Sequence, residues 1–230
     1  MVDYQYTYIL GNLILLALWI TLFLWRKDTR KEMLIISIIF GVIAILSYPL
    51  YALDWWKPLT ITNTGIGIED FLFGFGIGGV SSVIYSFISN KKVKLKETKR
   101  NFNIFYILLI LAIVFGGGML FLKMNSFVAT TLAFIISTSI IYFKRKDLIK
   151  DSLLSGIFTL IIAILIYQIL NFMTPGFFNE FWLFQNIGKI TFLKIPLEEL
   201  IWFFLAGSFI GPLYEYWKEG KLINIRNIKK

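Results

Sequence analysis

Neither cysteine nor histidine occurs among the 230 residues. Without cysteine there is no disulfide framework, no thiolate nucleophile, no Cys-ligated zinc and no iron–sulfur centre. Without histidine there is no Ser-His-Asp triad, no His-ligated haem and no imidazole proton shuttle. Acid–base chemistry is left to carboxylates, tyrosines and lysines. Charge is scarce too, at 16% of residues against about 25% in an average soluble domain. Apolar residues fill 57% of the chain and aromatics 18%, with a mean hydropathy of +0.74. That composition is that of a membrane protein.

Seven apolar stretches are long enough to cross about 30 Å of hydrocarbon, which takes roughly 20 helical residues. They lie near 4–25, 33–53, 67–89, 103–122, 126–143, 152–173 and 196–217. The expected fold is an all-α polytopic bundle of seven transmembrane helices. The first stretch lacks a basic leader and a small-residue cleavage site, so it reads as a span rather than a signal peptide. Only Lys123, Met124 and Asn125 separate the fourth and fifth stretches, which predicts a tight helical hairpin.

Of the 23 basic residues, 19 fall in four segments: 26–32, 90–100, 144–151 and the tail after 217. Seven spans put all four on one face. The positive-inside rule makes that face cytoplasmic, with the N-terminus outside and the C-terminus inside, in a multi-pass cell-membrane protein. The net charge of +9 is thus a topology signal. Nucleic-acid binding is not indicated, because the basic residues are split among loops and carry no interleaved stacking aromatics.

The third and seventh stretches align at an offset of 129. IGIEDFLFGFGIGGVSSVIY (66–85) falls on IPLEELIWFFLAGSFIGPLY (195–214), with Glu69 on Glu198, Asp70 on Glu199, Phe73 on Trp202 and Tyr85 on Tyr214. The simplest architecture is 3 + 1 + 3: residues 1–100 as one three-helix repeat, 101–125 as a linking helix, and 126–230 as a second, parallel repeat with a basic tail. Some transporters are built from such repeats.

Glu69-Asp70 and Glu198-Glu199 are the acidic pairs inside long apolar runs. Ionisable groups in a span are costly and mark a path or a site. Desolvation and a like-charged neighbour both disfavour the carboxylate, which suits a neutral acid able to donate a proton. Neighbours on a helix point about 100° apart, so one member of each pair faces a site while the other orients it or caps backbone amides. Pro196 fits the first turn of a helix, where carboxylates also satisfy free N–H groups and the helix dipole. Phe71, Phe73 and Phe75 follow the first pair, and Trp202, Phe203 and Phe204 the second. Trp55 and Trp56 precede the first pair, and Phe181 and Trp182 the second, in a 22-residue loop expected to place Trp182 and Phe184 at headgroup level. Aromatic faces stabilise cations within about 6 Å, so acids beside an aromatic wall suit chemistry that passes through a carbocation. Gly74, Gly76, Gly78 and Gly79, Gly116–Gly118, and Gly207 with Gly211 read as close helix-packing surfaces. Asp54 either joins the site or caps a loop. Lys189 and Lys194 sit in the outer loop, away from a retinal-type Schiff-base position.

PLEELIWFF (196–204), its partner GIEDFLFGFGIGG (67–79) and YEYW (214–217) together resemble the small membrane lycopene cyclase family, the non-flavin carotenoid cyclases. Pro196, Leu197, Glu198 and Glu199 match its Pro-Leu-Glu-Glu motif. In the first half Gly67 stands for the proline and Asp70 for the second glutamate. The resemblance implies a fused two-repeat protein that cyclises the ψ-ends of lycopene to β-rings, an intramolecular lyase (isomerase) reaction needing neither cofactor nor metal. It implies Glu198 or Glu199 as proton donor and Glu69 or Asp70 as second carboxylate, with the aromatics lining the substrate. The partner would be a carotenoid or other polyisoprenoid entering from membrane lipid. The alternative is a transporter or binding protein for a small apolar solute. Of the five prolines only Pro212 reads as lying well inside a span, whereas transporters of that design often hinge on intraspan prolines.

Overall fold

The computed structural model describes residues 4–95, 104–184 and 188–224. Lys96, Lys99 and Arg100 of the second basic segment, and Arg226, Lys229 and Lys230 of the tail, lie outside them. The helices are α1 (Thr7–Trp25), α2 (Arg30–Asp54), α3 (Ile68–Ile88), α4 (Ile104–Leu120), α5 (Ser126–Lys144), α6 (Ile149–Met173), α7 (Phe177–Phe181), α8 (Leu197–Ile210) and α9 (Leu213–Lys218). The protein is all-α and polytopic. Six segments are long and apolar enough to cross a membrane, with α8 and α9 together forming one of them. The 17-residue α4 is a shorter apolar seventh, about 26 Å long at 1.5 Å per residue.

Burial locates the centre of the bundle. Two-thirds of α3 and of the α8–α9 segment is buried, against one-third of α1, α2 and α6. Glycine makes this close approach available to α3. Gly74 and Gly78 lie against Phe40 of α2, Gly76 against Leu15 of α1, and Gly79 against Trp19 and Ser37. In the other half Gly207 meets Thr159 and Gly156 of α6, and Gly211 meets Ser155. The packing expectation fails at Gly116 and Gly117, which have nothing within 4 Å of where a side chain would start; only Gly118 is packed, against Ala129. Gly211-Pro212 divides the last span into α8 and α9. Pro49 also lies inside a helix, α2; reading that span as ending near 53 set Pro49 at its edge.

Backbone pairing joins the loop after α2 to the loop after α7. The Lys57 N–H donates to the Phe181 carbonyl and the Leu183 N–H to the Trp55 carbonyl, both at 2.8 Å. Inside this closure α7 buries Phe177, Phe178 and Phe181. Trp182 is 4% exposed, so it faces the protein interior instead of lying among headgroups. The aromatic side chains before it fold inward, which a hydropathy pattern does not reveal. Asp54 caps the start of α5, accepting from the Ser126 N–H at 2.9 Å and from its hydroxyl at 2.5 Å.

The described parts of the four basic segments gather at the other end. There β1 (Lys91–Lys94) pairs antiparallel with β4 (Lys221–Asn224). Arg26 binds Asp28 through two 2.8 Å bonds and donates to the Ser86 and Lys91 carbonyls. Arg145 does the same with Asp147 and the Glu215 and Gly220 carbonyls. Each arginine ties the turn after one helix to the C-terminal end of a central helix or the segment just beyond it.

Candidate active site

The members of each acidic pair separate into two roles by direction. Glu69 and Glu198, one residue nearer the helix start, turn back to the loops. Glu69 accepts the Ile61 N–H and Glu198 the Gly188 N–H, both at 2.7 Å. Asp70 and Glu199 turn into the bundle. The Tyr8 hydroxyl of α1 donates to Asp70 Oδ1 at 3.0 Å, and the Gly67 N–H donates to Oδ2 at 2.8 Å. The Tyr167 hydroxyl of α6 donates to Glu199 Oε1 at 2.8 Å, and the Trp182 indole N–H donates to Oε2 at 3.0 Å. Asp70 is 2% exposed and Glu199 8%. A buried carboxyl keeps its place only with such partners.

Asp70 and Glu199 line one cavity of about 300 Å³ between α2, α3, α4, α5 and α8. Its aromatic wall includes Trp55, Trp56, Phe73 and Trp202, together with Tyr51 and Phe134. Phe73 and Trp202, the aligned aromatics of the two halves, stack at 5.9 Å with their planes 30° apart. Trp202 donates to the Tyr51 hydroxyl at 3.3 Å. The cavity extends to Leu46 of α2, which is 72% exposed, and to Gly116 of α4. Its far side therefore reaches surface that a membrane protein presents to lipid, and the unpacked Gly116 keeps that side low-walled.

A second cavity, of about 60 Å³, lies between α1, α6 and α7 and is lined by Tyr8, Tyr167 and Trp182, with Phe203 on the α8 side. Tyr8, Trp56, Phe73 and Ile77 border both cavities. Three aromatics expected at the site lie elsewhere. Phe71 packs on Gly41, Phe75 lies 5.0 Å from the Trp19 ring, and Phe204 lies against Gly156. All three are packing residues between helices, as the period of an all-apolar helix leaves undecided.

Sequence reasoning missed Tyr8 and Tyr167, the hydroxyl partners of the two acids. Neither has a sequence mark: Tyr8 is one of three tyrosines at the start of its span, and Tyr167 is a single tyrosine on an apolar one. It also missed three acids buried at the basic end: Glu32 and Asp151, each 4% exposed, and Glu215, 1% exposed. Here a signal existed. RKDTRKE (26–32) recurs as RKDLIKD (145–151) at an offset of 119, setting Glu32 on Asp151 and Arg26 on Arg145.

Two carboxyls from the two central helices thus line one aromatic cavity inside an apolar helical bundle, and that cavity reaches the outward-facing apolar surface. The sequence profile of the lycopene cyclase family matches residues 5–88 and 123–217. The chain belongs to the lycopene cyclase family, and so to carotenoid biosynthesis. No curated protein and no solved structure matches it.

Proposed function

We propose that this protein closes the ψ-ends of lycopene into β-rings, with Glu199 as proton donor and Asp70 as the carboxylate that removes the ring proton. One observation carries the assignment: the aligned acids Asp70 and Glu199 line the same aromatic cavity, while Glu69 and Glu198 are bound to outer-loop amides. Glu199 protonates the terminal alkene. The internal alkene attacks the tertiary cation to close the ring, and Asp70 takes a proton to leave the ring double bond. Phe73 and Trp202 face the charge that develops between the acids. The dry, apolar wall protects the cation from water. The reaction is redox-neutral, an isomerisation, and the substrate enters sideways between α2 and α4.

Hydrogen-bond chemistry supports Glu199 in this role. The indole N–H of Trp182 can only donate, so Oε2 must accept. Oε1 faces a hydroxyl that can donate or accept, and is the oxygen able to carry a proton. The same logic leaves Asp70 Oδ1, facing Tyr8, as the oxygen able to gain one. We take the chain to be two parallel three-helix repeats joined by α4, with the basic end cytoplasmic. The two matched blocks, which leave 89–122 outside, support the two repeats, and the clustering of basic residues at one end supports the orientation.

The test is expression in a bacterial host that accumulates lycopene. Rings should form with the native chain. Glu199→Gln and Asp70→Asn should each lower product by about 10²–10⁴-fold, the usual contribution of a positioned acid or base, at unchanged membrane yield. Product from Glu199→Gln equal to that of the native chain would remove Glu199 as donor.

A further inference from the structure

Each ring closure leaves the two acids in the wrong states for the next. Glu199 has lost its O–H proton to a new C–H bond, and Asp70 holds the proton released when a ring C–H bond breaks. Before another turnover Glu199 must regain a proton and Asp70 must lose one, and transfer between them does both in one step. The large cavity offers no route while product fills it.

The small cavity offers one. It is lined by Tyr8, whose hydroxyl bonds Asp70, and by Tyr167, whose hydroxyl bonds Glu199. Both hydroxyls can donate and accept. Thr7 also lines it, is 1% exposed, and has a hydroxyl without a hydrogen-bond partner among the described residues. Asn12 adds another polar side chain. A volume of about 60 Å³ has room for a water, and the few polar side chains that line it can supply the two to four partners that a buried water needs.

We infer that Tyr8, water held at Thr7 in the small cavity, and Tyr167 form the path that returns the proton from Asp70 to Glu199 after each cyclisation. This rests on the proposed roles of the two acids. In the return step the Asp70 O–H proton passes to Tyr8 as the Tyr8 proton passes on. Water and Tyr167 each gain one proton and give one up, and Glu199 ends protonated. No electrons move and no co-reactant is needed. Tyr8 and Tyr167 are therefore positioning and relay residues that act through the carboxyls.

The experiment compares first and later turnovers. The full chain is reconstituted in lipid vesicles loaded with lycopene, and rings per protein are followed by rapid quench. Tyr8→Phe and Tyr167→Phe should slow the first ring, because each hydroxyl also positions a carboxyl, and should slow later turnovers by roughly a further 10²-fold, the scale of a lost proton-transfer group. Thr7→Val touches neither acid and should slow only the later turnovers. In D₂O the native chain should recycle ring protons and place less than one deuterium per ring over many turnovers. The variants, refilled from bulk solvent, should approach one. First and later turnovers slowed equally, or later turnovers unchanged in all three variants, would overturn the relay. A native chain that closes no ring would instead overturn the cyclase assignment on which the relay stands.

Discussion

The two halves hold their second acid in different ways. Asp70 stays at the start of its own helix: one oxygen accepts the Gly67 N–H three residues back, and the other meets Tyr8 of α1. Glu199 is one methylene longer and accepts nothing from the first turn of α8. It reaches Tyr167 on α6 and Trp182 after α7 instead. Trp182 exists there because the second half is longer. The repeated sequence runs at an offset of 119 before the second helix and 129 in the third, so ten extra residues lie between them. Those residues supply α7 and its aromatic cluster, with Phe178 and Trp182 rings 4.6 Å apart. The first half thus uses half of its acid as a helix cap, while the second frees its acid from capping and gives it a dedicated indole donor.

Exchanging the lengths of the two acids is the strongest way to break this comparison. Glu199→Asp draws the carboxyl back by about 1.5 Å, too short for both Tyr167 and Trp182. A displacement of that size costs roughly 10²-fold in rate. Asp70→Glu should cost less, about tenfold, because glutamate at this position of a helix also caps the preceding N–H. Rings formed per protein in vesicles measure both. Equal losses would show that the two acids are held alike.

The first member of each pair sharpens the contrast through stability. Glu69→Gln and Glu198→Gln keep an oxygen for the loop amide and should leave ring formation within about tenfold of native. Glu69→Ala leaves the Ile61 N–H without its acceptor, at about 1–3 kcal/mol. Glu198→Ala should cost less, because Glu198 is only partly buried whereas Glu69 is 1% exposed. Thermal unfolding in detergent ranks the two. A larger loss for Glu198→Ala would contradict the difference in burial.

Much of this was open to the sequence. Runs of apolar residues set the helices, the basic segments set one end, and the offset of 129 found both acidic pairs. The choice within each pair was not legible. Residues at i and i+1 differ by about 100°, and which direction meets a cavity depends on where α2, α4 and α5 pack. Tyr8, Tyr167 and Trp182 reach the acids across 62, 32 and 17 residues, separations that carry no local pattern. Phe71, Phe75 and Phe204 show the reverse case, since hydropathy cannot tell a cavity wall from a helix contact. Glu32 and Asp151 were hidden by their basic neighbours, although the repeated RKD motif marked them.

That motif allows the mildest test of how alike the halves are. Arg26 and Arg145 each grip an aspartate two residues on and brace two carbonyls, one in the last turns of a helix and one in the segment beyond it. The first grip is better shielded: side-chain exposure is 21% for Asp28 and 47% for Asp147. Hydrogen bonding from Arg26 holds the Asp28 carboxyl below the usual carboxylate range. A lowered value in the folded protein means that the bond stabilises fully above pH about 4, and that this contribution fades as pH falls through the lowered value. Asp28→Asn should therefore lower stability at pH 7 by up to about 1 kcal/mol, and Asp147→Asn by less, since exposed pairs contribute little. Raising salt should shrink the Asp147 effect first. Thermal unfolding at low and high salt reads both, and a larger loss at Asp147 would mean that its arginine braces the last helix through the ion pair more than Arg26 braces α3.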